Sequence, residues 1–339
     1  MSESKAVILG CAGKSVSKDE IDFYRGEQPW GFILFARNIG EPAEIADLVA
    51  VLRDSVGRPG APVFIDQEGG RVQRIRPPVV PNYPAGSALG ALYKSDRDAG
   101  LRAAWLMARL HAFDLQRFGI SADCLPVLDV PIEGASDVIG TRAYGKDPET
   151  VTMLGRAAAE GLMAGGVLPV MKHIPGHGRA FSDSHLELPR VDTPLADLRR
   201  HDFAPFKALA DLPMAMTAHV VYTAIDAAAP ATTSKKVVRD IVRGEIGFDG
   251  LLISDDTSMK AFSGDFPDKA AAILAAGCDI VLHCNGVMDE MRGIVSRTVA
   301  LQGRSLERAE RALTHIEKRD TASEPDVRAE FASYFEAVA

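Results

Sequence analysis

The chain has 339 residues, 47% of them hydrophobic, with a formal net charge of −8 and a pI near 5.5. That length and apolar content allow a large core, built as one big barrel or as two modest domains. The acidic balance argues against a nucleic-acid or anionic-membrane surface, which needs a basic footprint, and leaves a small soluble molecule as the simpler partner. Four cysteines, at 11, 124, 278 and 284, form no CxxC pair and no dense framework, and read as reduced thiols of a cytoplasmic protein. No apolar run approaches the roughly eighteen residues of a membrane span.

Taken in chain order, the pattern is one of short apolar runs separated by helical stretches. The runs are Ala6 to Gly10, Gly31 to Phe35, Ala61 to Asp66, Ile120 to Val130, Val167 to His173, Met214 to Tyr222, Gly250 to Asp255 and Gly277 to His283. They are continuous rather than alternating, as expected for parallel strands covered on both faces. Near the N-terminus, Gly10-Cys11 has too few preceding apolar residues for a lipoprotein signal. Gly13-Lys14-Ser15 lacks the first glycine of a phosphate-binding loop, where Ile8 stands instead. Between the second and third runs, Ile45, Leu48, Val49, Leu52 and Val56 form an amphipathic stripe opened by Pro42 and closed by Gly57. Leu106, Leu110 and Phe113 predict another after Ser95. Beyond residue 286 the chain reads as helices, with a charged closing helix over 305–318 carrying Leu306, Leu313 and Ile316. No linker separates two cores, so the expectation is one domain over 1–339, with a core of about 5–290 and C-terminal helices over about 287–339.

Eight strand-helix units predict an α/β fold, a single (β/α)₈ TIM barrel, rather than a doubly wound sheet. Polar residues gather where several of those strands end: Asp66-Gln67-Glu68-Gly69-Gly70-Arg71, then Asp129, Lys172-His173, His219 and Asp255-Asp256. A barrel brings all of these to its C-terminal mouth, where reactive groups of this fold lie. The densest segment is MKHIPGHGRAFSDSHL, residues 171–186, with a lysine, three histidines and an aspartate. His173 and His177 have helical i, i+4 spacing, but Pro175 and Gly176 between them remove the helical zinc-site reading. Asp183 and His185, two apart, face the same way in an extended segment, where a carboxylate can fix one imidazole tautomer and favour its protonated form. His219 reads equally as a mouth residue or as a satisfied core histidine.

The blocks IDQEGGRVQR (65–74), VIGTRAYGKDP (138–148), KHIPGHG with DSH (172–185), MTAHVVYTAID (216–226) and GFDGLLISDDTSMKA (247–261) resemble glycoside hydrolase family 3. The likeness is to the single-domain bacterial β-N-acetylglucosaminidases of the NagZ type and runs from about residue 5 to 290. It implies a TIM barrel that removes terminal β-linked N-acetylglucosamine with retention of configuration, without a cofactor or a metal. By motif, Asp255 matches the nucleophile and His185 with Asp183 the acid/base dyad. Asp66, Arg74, Arg142, Lys172 and His173 match residues that hold the sugar. Asp256 is expected to brace a neighbouring loop, because adjacent strand residues face opposite ways and only one can enter the mouth.

The implied substrate is a muropeptide carrying N-acetylglucosamine, met in the cytoplasm during cell-wall recycling by a monomer that binds neither nucleic acid nor membrane. Alternatives are a family 3 enzyme for another β-hexoside, a glycoside phosphorylase, a metal-dependent barrel hydrolase using His173, His177, His185 and Asp255, and a non-catalytic sugar-binding protein. The last predicts missing catalytic groups, whereas Asp183, His185 and Asp255 are all present.

Overall fold

The structure, a computed structural model, describes residues 4–180, 188–259 and 264–335. Eight parallel strands close into a barrel: β1 Lys5–Gly10, β2 Pro29–Leu34, β3 Val63–Ile65, β4 Ala122–Asp123, β5 Leu168–Ile174, β6 Met214–Thr217, β7 Leu251–Asp256 and β8 Ile280–His283. Each overlaps one of the eight apolar runs, with β1 and β2 starting one and two residues earlier and β5 and β7 ending one residue later. Neighbours in sequence are neighbours in the barrel, and β8 returns to β1 with Val7 opposite Val281. Closure removes the free edges that an open sheet would expose.

Two layers of core follow from strand alternation. Val7, Leu9, Ala215, Leu252 and Val281 face outward to the helices, and Ala6, Ile8, Met214, Met216, Leu251, Ile253, Ile280 and Leu282 fill the barrel. The helix Pro42–Ser55 has its predicted proline in the first turn and buries Ile45, Leu48, Val49 and Leu52, and the chain leaves it through Gly57 at φ +61°. The helix Gly303–Leu313 packs Ala309 and Ala312 against the interior cluster, with Leu301 beside them. Its Arg304, Arg308 and Arg311 reach Asp249, just before β7, so it plugs the end of the barrel away from the strand C-termini.

Two runs expected as long strands are shorter. In Ile120 to Val130 only Ala122–Asp123 joins the ladder, with an isolated bridge from Val127 to Lys172, because Pro126 has no N–H to give. In Met214 to Tyr222 the strand ends at Thr217, and Val221–Tyr222 pairs instead with Arg190–Val191 outside the barrel. After β3 the chain makes a small hairpin, Gln67–Gly69 against Val72–Gln73. Gly69 and Gly70 turn it at φ +90° and +56°, and a side chain on either would strike Pro84 or Ala85.

Candidate active site

Alternation decides which side chains enter the mouth. Phe64, Val170 and Ile253 fill the barrel interior, so two residues further along the same strands Asp66, Lys172 and Asp255 point the same way. The next residues, His173 and Asp256, should turn outward. Both nevertheless line the cavity, which corrects the expectation that only one of the two aspartates can do so. The register shifts at both places: Lys172 and Ile174 pair with the successive residues Met216 and Thr217, and Ile253 and Asp256 pair with Ile280 and Leu282. Such bulges re-aim side chains next to active sites.

The first half of the site is a charged cradle. Asp66 accepts hydrogen bonds from Arg74 at 2.8 Å and from Lys172 Nζ at 2.9 Å. Glu68 accepts two from Arg142, both 2.8 Å, and lies 2.6 Å from Lys172 Nζ. One buried ammonium therefore bridges two carboxylates, with a guanidinium on each outer side. Burial alone would push both acids up, but the Lys172 and Arg74 charges hold Asp66 far below the usual carboxylate range, and Arg142 and Lys172 hold Glu68 down. Burial opposes the Lys172 charge too, yet Asp66 and Glu68 raise its pKa overall. The cradle stays fully ionised and presents fixed donors and acceptors, which suits a ring of hydroxyls.

The second half is organised by Asp129, which follows β4. Its Oδ2 pairs with His173 Nδ1 at 2.7 Å, and its Oδ1 accepts the backbone N–H groups of His177 at 2.6 Å and His173 at 3.2 Å. Burial pushes the Asp129 carboxyl up, but His173 and His177 bring it down to about 2. A carboxylate on Nδ1 sets the His173 tautomer and leaves Nε2 for the pocket.

Asp255, at the end of β7, is partly exposed. Its Oδ1 accepts the Asp256 N–H at 2.8 Å, and its own N–H donates to Thr217 Oγ1. Burial disfavours its charge, but the imidazoles of His219 and His173 and the Asp256 N–H prevail, so its pKa lies below the ordinary value. Asp256 spends its oxygens differently, accepting from Ser258 N–H at 2.9 Å, Cys284 N–H at 3.0 Å and Ser258 Oγ at 2.5 Å. It ties β7 to the segment after β8. Asp255 keeps the carboxylate with lone pairs to spare.

His219 is fully buried, with Nδ1 on Thr232 Oγ1 at 2.8 Å and Nε2 on the Asp256 carbonyl at 3.0 Å. Of its two readings the satisfied core histidine stands, and burial lowers its pKa.

Asp66, Arg74, Arg142, Lys172, His173 and Asp255 thus meet around one cavity of about 510 Å³. That size is within the range of small-molecule sites. Asp183 and His185 lie outside the described residues. Glu68, in the first motif block, and Asp129, at a strand end, were placed at the barrel mouth by the sequence but given no role in holding the site together. The signal for Glu68 was charge balance: Arg142 and Lys172 buried near one another need more acceptors than Asp66 supplies. Among the described residues no three His, Cys, Asp or Glu side chains are grouped as a metal set.

The Glycosyl hydrolase family 3 N terminal domain matches residues 21–318. The chain belongs to glycosyl hydrolase family 3. Within the family, it is 40% identical over 283 residues to a β-hexosaminidase of Bordetella parapertussis, covering 82% of this chain and 79% of that one. A Pseudomonas aeruginosa β-hexosaminidase is 38% identical over 283 residues, covering 83% and 82%. The solved structure of NagZ from Neisseria gonorrhoeae in complex with N-trifluoroacetyl-D-glucosamine superposes with a TM-score of 0.87 at 29% identity, over 100% of this chain and 99% of that one. The protein is a NagZ-type family 3 member and a glycoside hydrolase.

Proposed function

We propose that the protein is a retaining exo-β-N-acetylglucosaminidase that takes a terminal β-linked N-acetylglucosamine from muropeptide fragments. The observation that carries this reading is an ionised, partly exposed Asp255 sharing one cavity with a fully ionised cradle of Asp66, Lys172 and Arg142. The names of the β-hexosaminidase relatives and the sugar analogue bound to the gonococcal protein support the hexosamine.

In this mechanism the Asp255 carboxylate attacks the anomeric carbon as the leaving oxygen takes a proton from His185, oriented by Asp183. The covalent glycosyl ester on Asp255 then breaks as His185 accepts a proton from the attacking water, restoring both groups. An imidazole's ordinary pKa of about 6.5 suits both directions near neutral pH. A monomer of one catalytic domain, working in the cytoplasm on wall fragments, fits the same reading.

The test is hydrolysis of a chromogenic β-N-acetylglucosaminide and of the corresponding β-glucoside by wild type, Asp255→Ala and His185→Ala, with and without phosphate. Asp255→Ala should be nearly inactive, and His185→Ala should be weakly impaired with an acidic leaving group and strongly with a poor one. The glucoside should be a poor substrate, and phosphate should leave the product as free sugar. Equal activity in all three proteins would end the assignment. Because His173 is also paired with a carboxylate, the same leaving-group dependence in His173→Ala instead of His185→Ala would move the proton donor there.

A further inference from the structure

His177 lines the same cavity and stands apart from its neighbours. Asp66, Arg142, Lys172, His173 and Asp256 each have a side-chain or backbone partner within the protein. Among the described residues, buried His177 has neither Nδ1 nor Nε2 hydrogen-bonded, although its main chain is held firmly by Asp129. Its ring meets that of His173 edge-on, with centroids 5.7 Å apart. Native proteins seldom leave a buried donor and acceptor unpaired, and where they do a functional partner or an internal water is the usual reason.

The electrostatics narrow the partner. Burial, with His173 adding to it, lowers the His177 pKa to about 4, so the ring is neutral in the working range and carries one N–H and one bare nitrogen. A neutral imidazole offers one donor and one acceptor side by side on the same ring, a pair that a neutral group able to both donate and accept can meet. It fits a hydroxyl or an amide, the polar groups of an acetamido sugar. Asp129 holds the His177 main chain and the ring is buried edge-on against that of His173, so it is set in place before any ligand enters, which lowers the entropic cost of using it.

We infer that His177 is a sugar-binding residue whose ring nitrogens find their partner in a neutral polar group of the glycoside held against Asp255. This rests on the hexosaminidase reading, and its test separates the two. Wild type, His177→Ala and His177→Asn are assayed on the 4-nitrophenyl β-N-acetylglucosaminide, its 3-deoxy, 4-deoxy and 6-deoxy analogues, and the β-glucoside, with melting curves for each protein. Wild-type turnover of the parent substrate checks the activity itself. If His177 binds the sugar, His177→Ala loses at least about tenfold in kcat/KM on substrates that keep its partner group. The loss largely vanishes on the one analogue that lacks that group, and His177→Asn recovers part of it.

A loss of equal size on all five substrates, or no loss at all, would overturn the inference by showing that the ring only fills space or holds a water. Should His177→Ala fail to fold, His177→Asn and the analogue series on wild type carry the same comparison.

Discussion

Lys172 Nζ stands 2.6 Å from Glu68 Oε1, both side chains at most 3% exposed, and the same carboxylate holds Arg142 through two further bonds. Glu68 does not line the cavity but sets the position of two cations that do. Removing one partner of a buried pair leaves an uncompensated charge, at a cost of about 3–5 kcal/mol. Glu68→Gln should therefore melt well below wild type, and the loosened Arg142 should raise KM more than it lowers kcat. Thermal unfolding and steady-state kinetics together check this. An unchanged melting temperature would show that Asp66 alone satisfies Lys172.

The adjacent aspartates should separate cleanly. Asp255→Asn is expected to lose at least about 10³-fold in kcat with little change in stability, since among the described residues its side chain has few partners. Asp256→Asn breaks bonds to Ser258 and Cys284, so it should be destabilised by about 1–3 kcal/mol while keeping much more of its activity. Equal kinetic defects in the two would undo the division of labour.

Asp129→Asn tests the support beneath His173 and His177. An amide cannot accept at both former carboxylate oxygens, so its NH₂ would face either the His173 ring or the two backbone N–H groups. A drop in kcat/KM of about tenfold or more is expected, together with weaker binding of N-acetylglucosamine in a titration. Wild-type binding would show that His173 needs no carboxylate behind it.

How far the amino-acid sequence reaches can be judged from these same residues. The barrel was legible because its strands are eight short, continuous apolar runs separated by helical stretches, a pattern set by burial on both faces. Asp66, Lys172 and Asp255 were legible because their motifs end strands. The joint presence of Asp255 and Asp256 in the cavity was not, since it depends on a bulge between β7 and β8 that comes from pairing with another strand. Glu68 and Asp129 were placed at the mouth by their strand ends, but what they do there was hidden for a related reason. Their roles are to hold Arg142, Lys172, His173 and His177, distant in sequence, and only closure of the barrel brings those partners within reach.

Acid should weaken the fold in two stages. His177 has a folded pKa of about 4 against an ordinary 6.5, so the unfolded chain takes up the proton first and stability falls as pH drops through that window. A shift of that size corresponds to at most about 3 kcal/mol. Asp66, Glu68 and Asp129 have depressed folded pKa values, so their stabilisation is complete above the ordinary carboxylate range and is lost only below it, for Asp129 down to about 2. Melting temperatures of wild type and His177→Gln between pH 7 and pH 4.5 should converge as the pH falls. Parallel curves would contradict a buried neutral imidazole at 177.

Chelation should leave activity unchanged. The positive charge in the cavity comes from Arg71, Arg74, Arg142 and Lys172, and among the described residues no carboxylate and imidazole groups gather as a metal set. Assays after prolonged EDTA treatment and gel filtration check this, and a loss restored by added zinc would revive the metal-dependent reading.

The most direct measurement is to trap the glycosyl-enzyme with a 5-fluoro-N-acetylglucosaminyl fluoride and locate the adduct by peptide mass spectrometry. The sugar should be found esterified to Asp255, with one equivalent per chain and loss of activity in step with labelling. An adduct on Asp256, or steady turnover with inverted product and no adduct anywhere, would contradict Asp255 as the nucleophile.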